Sequence, residues 1–381
     1  MPRRACRYSP IDVFTTRHYM RLCDLCLFSC ALRNEIMARV IYGVMGNTYG
    51  HIARTQAIIS RLPEHEWYFV GGGRVPELLG ASHPVLEVPI KRTVHKRQRV
   101  SVPATIGSIA RCVASAPRVR RQILDLIERW QPTIALTDRE LFLPLAARSA
   151  GLRCISIDHS HVLPCCRYSV PISQRPSWAI ARLEDALLFN RTRRNLIVSF
   201  FHPELKRPEF DELLPPVLRT ETRDISPSAG DHIFIYQTSP TFGPLIEAAR
   251  QLSRRVIIYG FKRTKSTEGN LTFKSFHPRA ILEDLASCAY AVVNGGHNLI
   301  CEALAYGKPL LCFPIAWHFE QFLNASYIRR LGYGDYSMTH QPKPELFRDF
   351  EKHLDEFRRN ISRQFVDGTE EVVRRVREII A

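Results

Sequence analysis

Two short stretches of this 381-residue chain carry residue types whose spacing could do chemistry. The first reads Tyr42-Gly43-Val44-Met45-Gly46-Asn47-Thr48-Tyr49-Gly50-His51. Its glycines let the backbone turn sharply and leave room for a ligand, and His51 stands at the mouth of an expected helix. An imidazole titrates near neutrality, so a histidine there could act as a general base. It could also cap the helix and only pack. Asp138, with Glu140 close behind, ends an expected strand in the same half of the chain and could orient His51. Aspartate is equally a good helix N-cap, and both readings stay open. The glycine spacing of three and four is not the dinucleotide fingerprint.

The second stretch, Val292–Pro314, reads VVNGGHNLICEALAYGKPLLCFP. A β-branched run passes through Asn294-Gly295-Gly296-His297-Asn298 into an apolar-periodic segment beginning at Leu299. That is a strand, a small-residue loop and a helix start, whose free backbone N–H groups and dipole suit a diphosphate. Glu302 lies one turn after Asn298 on the same helix face, where a carboxylate can accept both hydroxyls of a ribose. Downstream, Glu320 and Gln321 open a further helix with Asn324 one turn on, and would meet a sugar attached to that diphosphate. Asp158-His159-Ser160-His161 ends another strand, but a His-x-His pair without a third ligand points only weakly to metal.

These residues need elements that hold them. From Met37 onward strands and helices alternate, the signature of a parallel, doubly wound sheet. Strands are expected at Val40–Met45, Trp67–Val70, Thr133–Thr137 and Cys154–Ile157, with helices at His51–Arg61, Val119–Trp130 and Leu143–Ala150. The proline-rich segment His202–Asp231 reads as a joint. The alternation then restarts at Ile233–Tyr236 and runs through Leu310–Pro314, before a charged helical segment, Phe347–Ile380. The expected fold is therefore α/β, with two Rossmann-like halves facing across a cleft at the carboxyl ends of their strands. Residues 1–36 read as an extension or a mis-assigned start. Residues 37–215 and 216–360 read as the two domains, and 361–381 as a C-terminal helix.

Composition narrows the partners. The net charge of +16 calls for an anionic partner, and ten basic against two acidic residues lie between Lys91 and Arg129. That segment is either a solvated helical face or a contact for anionic lipid head groups. No apolar run approaches the ~20 residues that span a bilayer. No helix-turn-helix, zinc-finger or aromatic–basic repeat supports nucleic-acid binding. The odd count of 11 cysteines suggests reduced thiols in a cytoplasmic protein. Cys23-x-x-Cys26, with Cys6 and Cys30 nearby, is an incomplete zinc pattern.

The run Asn294-Gly-Gly-His-Asn-Leu-Ile-Cys-Glu302, then Gly307-Lys308-Pro309, then Glu320-Gln321 and Asn324, resembles glycosyltransferases of the GT-B fold. It is similar to families 28 and 1, whose members include the peptidoglycan lipid-linked N-acetylglucosaminyltransferase. Within them it resembles a group of predicted bacterial and archaeal glycosyltransferases. The first loop, Gly46 through Gly50-His51, resembles the glycine-rich segment of family 28, and the likeness covers about Met37 to Gly334. It implies a nucleotide-sugar donor in the second half, linked to uridine diphosphate. Glu302 would hold the ribose, Gly295–Leu299 the diphosphate, and Glu320 and Gln321 the donor sugar, with Asn294 and Asn324 also on the donor-binding side. It also implies that His51 serves an acceptor bounded by Gly46, Asn47, Thr48 and Gly50. Two positions depart from the pattern: Asn294 stands where family 1 usually has histidine, and Leu299 where serine or threonine often follows.

The expected reaction is a single displacement that inverts the anomeric carbon, with His51 as base assisted by Asp138. The acceptor would be a cell-envelope glycan or lipid-linked hydroxyl, met in the cytoplasm or on the inner face of the plasma membrane. No Asp-x-Asp motif appears, so neither metal nor cofactor is expected. A sugar-nucleotide 2-epimerase, or a non-catalytic sugar-nucleotide-binding protein, would share the architecture.

Overall fold

The computed structural model describes residues 37–189, 192–238, 240–261 and 266–381. The cysteine pattern at Cys6–Cys30 lies outside the described residues. Strands β1 (Arg39–Val44), β2 (Glu66–Val70), β3 (Val85–Leu86), β6 (Ile134–Asp138), β7 (Cys154–Asp158), β8 (Arg194–Val198) and β9 (Asp211–Leu214) form one parallel sheet. Its order is β3-β2-β1-β6-β7-β8-β9. A short hairpin, β4 (His95–Lys96) and β5 (Arg99–Val100), stands outside it. The second sheet holds β10 (Ile233–Tyr236), β11 (Val256–Tyr259), β12 (Ser266–Glu268), β13 (Leu271–Phe273), β14 (Tyr290–Val293), β15 (Leu310–Cys312) and β16 (Gly334–Tyr336). Its order is β12-β13-β11-β10-β14-β15-β16, parallel except for the β12 edge.

Each half starts in the middle of its sheet, winds outward one way, then returns and winds the other way. The reversals fall between β1 and β6 and between β10 and β14, and the crevice at such a reversal is where doubly wound sheets bind ligands. The central strands are apolar on both faces, with Ile41, Tyr42, Ile235 and Val292 fully buried, as a sheet covered by helices on both sides requires. One apolar cluster runs beneath both halves, joining Val162, Ile197, Phe200 and Phe201 to Ile300, Phe319 and Tyr327. Phe201 and Tyr327 stack at 3.9 Å within it.

Several elements differ from the sequence reading. β8 and β9 were not expected, and β9 lies inside the proline-rich joint. Its buried Asp211 accepts from Asn195 of β8 at 2.7 Å, so polar residues that read as linker are paired inside the sheet. The helix expected at Val119–Trp130 extends from Val102, because Pro117 sits inside it without ending it. The charged tail is three helices, Pro344–Glu351, Leu354–Gln364 and Thr369–Ile380. The last of these returns to the first sheet, packing Val372, Val376 and Ile379 with Val40, Ile58 and Trp67.

The basic segment divides into three parts. Lys91 is buried and pairs with Glu184. The hairpin reaches across to the second half, where Val100 N donates to Ala316 O and Ala316 N to Gln98 O, both at 3.0 Å. Arg111, Arg118, Arg120 and Arg121 lie on the solvent face of Val102–Trp130, while Cys112, Val119 and Ile123 pack inward. Among the described residues no helix is long and apolar enough to cross a membrane.

Candidate active site

β1 ends beside β6, with Val44 paired to Asp138, so the glycine loop and Asp138 emerge together. Helix Tyr49–Ile59 starts there and puts His51 in its first turn. His51 Nδ1 lies 2.7 Å from Asp138 Oδ1. Arg54 Nη2, a donor only, also lies 3.2 Å from Nδ1, but the shorter contact is to the accepting carboxylate, which in the neutral ring places the hydrogen on Nδ1 and leaves Nε2 as the acceptor. The His51 side chain is 21% exposed whereas Asp138 is fully buried. Arg54, one turn along and 2% exposed, forks onto Asp138 with Nε and Nη2 at 2.7–3.0 Å. Burial alone would lower the guanidinium pKa, but Asp138 outweighs it and the shift is upward. Glu140, by contrast, closes on the amides of Phe142 and Leu143 at the start of the next helix, and its burial raises its pKa to about 7. The helix-capping role is thus filled by Glu140, and Asp138 faces His51.

In the second half β14 delivers Asn294, whose amide ties three strand ends together. Its Oδ1 accepts from Thr238 N at 2.7 Å, and its Nδ2 donates to Gln237 Oε1 and Phe313 O at 2.7 and 3.0 Å. Gly295 has φ +99, and a Cβ there would lie 2.6 Å from Gln321 O. A Cβ on Gly296 would meet nothing within 4 Å, so the side of this loop next to helix His297–Ala305 is open. The first-turn amides of that helix, including those of His297, Asn298 and Leu299, have no carbonyl partner within their own helix.

Glu302 is buried and meets Arg219 at two points, Nε to Oε1 at 2.8 Å and Nη2 to Oε2 at 2.9 Å. Burial raises the Glu302 pKa and Arg219 only partly offsets it. Arg219 also packs against the Tyr49 ring. His297 turns from the open loop and stacks on His159 of the first half at 3.8 Å. Burial first, then His159, hold it well below the usual histidine range. His159 lies between Val198 O and Asn324 Oδ1, and Asn324 Nδ2 donates to Gly295 O at 3.0 Å. Glu320 accepts from Ser160 Oγ at 2.6 Å across the cleft. Burial pushes its pKa up, but His159, Arg139 and His318 bring the net shift down. Gln321 Oε1 accepts from Ile315 N.

The two helix starts meet. A Cβ on Gly50 would fall 2.4 Å from Asn298 Nδ2, so the second half leaves no room for a side chain at Gly50. Gly46 packs against Gly72 O, Asn47 holds Lys91 O, and Thr48 is exposed. The structure therefore brings His51, Asp138, Gly50, His297 and Asn298 together, with Asn324 and Glu320 behind His159 and Ser160. The side chains of Asn294 and Gln321 are engaged in the loop's own framework. Arg54 and Arg219 went unread in the sequence. Arg54 sits three residues after His51 on one helix face, a spacing that could have marked it. Arg219 carried no local signal. His159 and His161 do not share a metal site: His161 Nδ1 pairs with Asp158 at 2.7 Å, and among the described residues no cluster of three or more metal-ligating side chains occurs.

Two parallel-sheet α/β halves with polar groups converging between their reversal points define a GT-B protein. Residues 38–355 match the model of glycosyl transferase family 1, and the chain belongs to that family of glycosyltransferases. An uncharacterized glycosyltransferase of Methanosarcina acetivorans is 25% identical over 254 residues, 59% of this chain and 64% of the relative. The chain thus spans under two thirds of that relative's length. Among solved structures, the glycotransferase of kitacinnamycin superposes with a TM-score of 0.62 at 16% identity, over 90% of this chain and 99% of the other. Arabidopsis thaliana UGT89C1 complexed with UDP-L-rhamnose gives 0.61 at 14% identity, over 90% and 99%. At such identities these likenesses concern the fold.

Proposed function

We propose that the protein transfers a sugar from a nucleotide diphosphate, in one inverting displacement, to a hydroxyl of a cell-envelope glycan or lipid-linked acceptor. The observation that carries this reading is the contact between two unlike helix starts. One presents a His51 held by Asp138, and the other an open Gly296 and first-turn amides with no carbonyl partner within their own helix. His51 Nε2 takes the proton of the acceptor hydroxyl as its oxygen bonds to the anomeric carbon. The bond from that carbon to the diphosphate breaks on the opposite face, and the departing charge is met by the amides of His297–Leu299 and the helix dipole. Glu302 receives the ribose hydroxyls, with Arg219 paired to it and partly offsetting the effect of its burial. Glu320, Gln321 and Asn324 stand on the sugar side.

Uridine is the favoured base, in keeping with the UDP-L-rhamnose that the Arabidopsis thaliana relative carries. The lack of an Asp-x-Asp motif favours turnover without a metal bridging the phosphates. The exposed arginines of Val102–Trp130 favour work beside an anionic membrane face, which salt-sensitive vesicle binding would test. The deciding experiment is calorimetric titration of a panel of nucleoside diphosphates and nucleotide sugars into the wild type and Glu302→Gln. Uridine nucleotides should bind, and bind about tenfold or more weakly to the variant, as for a lost charged hydrogen bond. A folded wild type that binds no nucleotide would sink the transferase reading.

A further inference from the structure

We infer that Arg54 is a positioning residue that couples the donor loop to the His51–Asp138 pair. Its guanidinium is used from both sides of the cleft. Nε and Nη2 hold both oxygens of Asp138, and Nη1 donates to Asn298 Oδ1 at 3.2 Å. Asn298 belongs to the first turn of helix His297–Ala305, whose amides form the proposed diphosphate cradle, and its own Nδ2 rests against Gly50, the residue before His51. His297 Nδ1 touches the same Asn298 oxygen at 3.1 Å. One planar, always-charged fork therefore joins the carboxylate that orients the base to the side chain carried by the donor helix.

A buried arginine needs a carboxylate partner, and Asp138 balances its charge through Nε and Nη2. Nη1 of Arg54 is left over from that pair and finds its acceptor on the donor helix, at Asn298 Oδ1. That bond makes the position of Asp138, and through it the His51 imidazole, depend on where the donor helix lies. A donor that settles on the first-turn amides shifts or fixes Asn298, and the fork passes this on to the base. Lysine cannot replace it, because an ammonium lacks the planar fork that spans two acceptors in fixed geometry.

The inference rests on the donor reading above, and its test separates the two. His51 imidazole nitrogen resonances are recorded while uridine diphosphate is titrated into the wild type, Asn298→Ala and Arg54→Lys. The wild-type His51 signals should move with nucleotide binding. In Asn298→Ala, brought to saturation with the nucleotide so that any change of affinity is removed, the His51 response should disappear, a loss of coupling rather than of occupancy. Turnover of the donor found in the panel should fall about 10²-fold in Arg54→Lys, mostly in kcat, as expected for a displaced base. A His51 response that survives in Asn298→Ala overturns the coupling while leaving the donor reading intact. Failure of the wild type to bind the nucleotide removes both. If Arg54→Lys does not fold, Asn298→Ala alone decides.

Discussion

The two halves share one winding and use it differently. At the first reversal point the work falls to charged side chains: Asp138 is buried whole, Arg54 compensates it, and His51 stands partly open. At the second, the strand end is a neutral amide, Asn294, spent on binding Thr238, Gln237 and Phe313 to one another. What remains open there is backbone, at Gly296 and the first helical turn. Moving a proton needs a titratable group with an orienting partner. Holding a diphosphate needs only preorganised N–H groups and space. The topology provides the place, and the residues at the strand ends decide what is done there.

Removing His51 is the sharpest way to test this division. His51→Ala should lower nucleotide-sugar turnover by about 10²–10⁴-fold, the range for a lost general base, with uridine diphosphate affinity unchanged. Steady-state kinetics beside calorimetry would read both. A parallel loss of nucleotide affinity would mean that the first half also holds the donor, and the contrast would collapse.

The glycine pair sharpens the other side. Gly296→Val places its side chain in open space, so the fold should keep its melting temperature while nucleotide affinity falls about tenfold if, as proposed, that space receives the diphosphate. Gly295→Ala acts in the opposite sense. At φ +99 with Gln321 O 2.6 Å from the new Cβ, it should cost about 1–3 kcal/mol of stability. Thermal melts and titrations of both variants would separate framework from cradle. A Gly296→Val protein that binds normally would move the diphosphate elsewhere.

Much of this was legible in the sequence because local patterns carried it. Alternating strands and helices gave both sheets, and His51, Asp138 and the Asn294–Asn298 loop followed from strand-end positions. What escaped depended on contacts far apart in the chain. β9 reads as linker until Asn195 pairs with Asp211, and the last helix reads as a solvated tail until Val372 and Val376 meet the first sheet. Arg219 gives no sign, 83 residues from Glu302, that the two form a buried pair. The basic run Lys91–Arg129 looked like one surface, yet it holds a buried lysine, a cleft-crossing hairpin and a solvated helix face. Net charge cannot sort these, because it does not report which side of a helix or turn faces the protein.

That hairpin supplies the smallest effect and a different kind of test, since it ties the two halves together outside both reversal points. His95 stacks on His318 at 6.5 Å, and Gln98 Nε2 donates to Phe313 O at 3.2 Å. Burial first, and His318 second, push the His95 pKa down to about 4. Between that value and the unfolded histidine value of about 6.5 the unfolded chain binds a proton that the folded chain refuses. His95 therefore contributes its full stability above about pH 6.5, and the contribution is lost as pH falls through this window toward 4. His159, His297 and His318 are also depressed, so the wild type should lose melting temperature over the same window for several reasons at once. His95→Phe keeps a ring against His318 and removes one proton site. Its melting temperature should match the wild type at pH 7.5 and exceed it by about 2 °C at pH 4.5, a shift of the size about 1 kcal/mol produces in a chain of this length. Parallel curves for the two proteins would mean that the hairpin is already open in acid, and that the halves are held together by the remaining contacts, among them Arg54–Asn298, Ser160–Glu320 and the apolar floor.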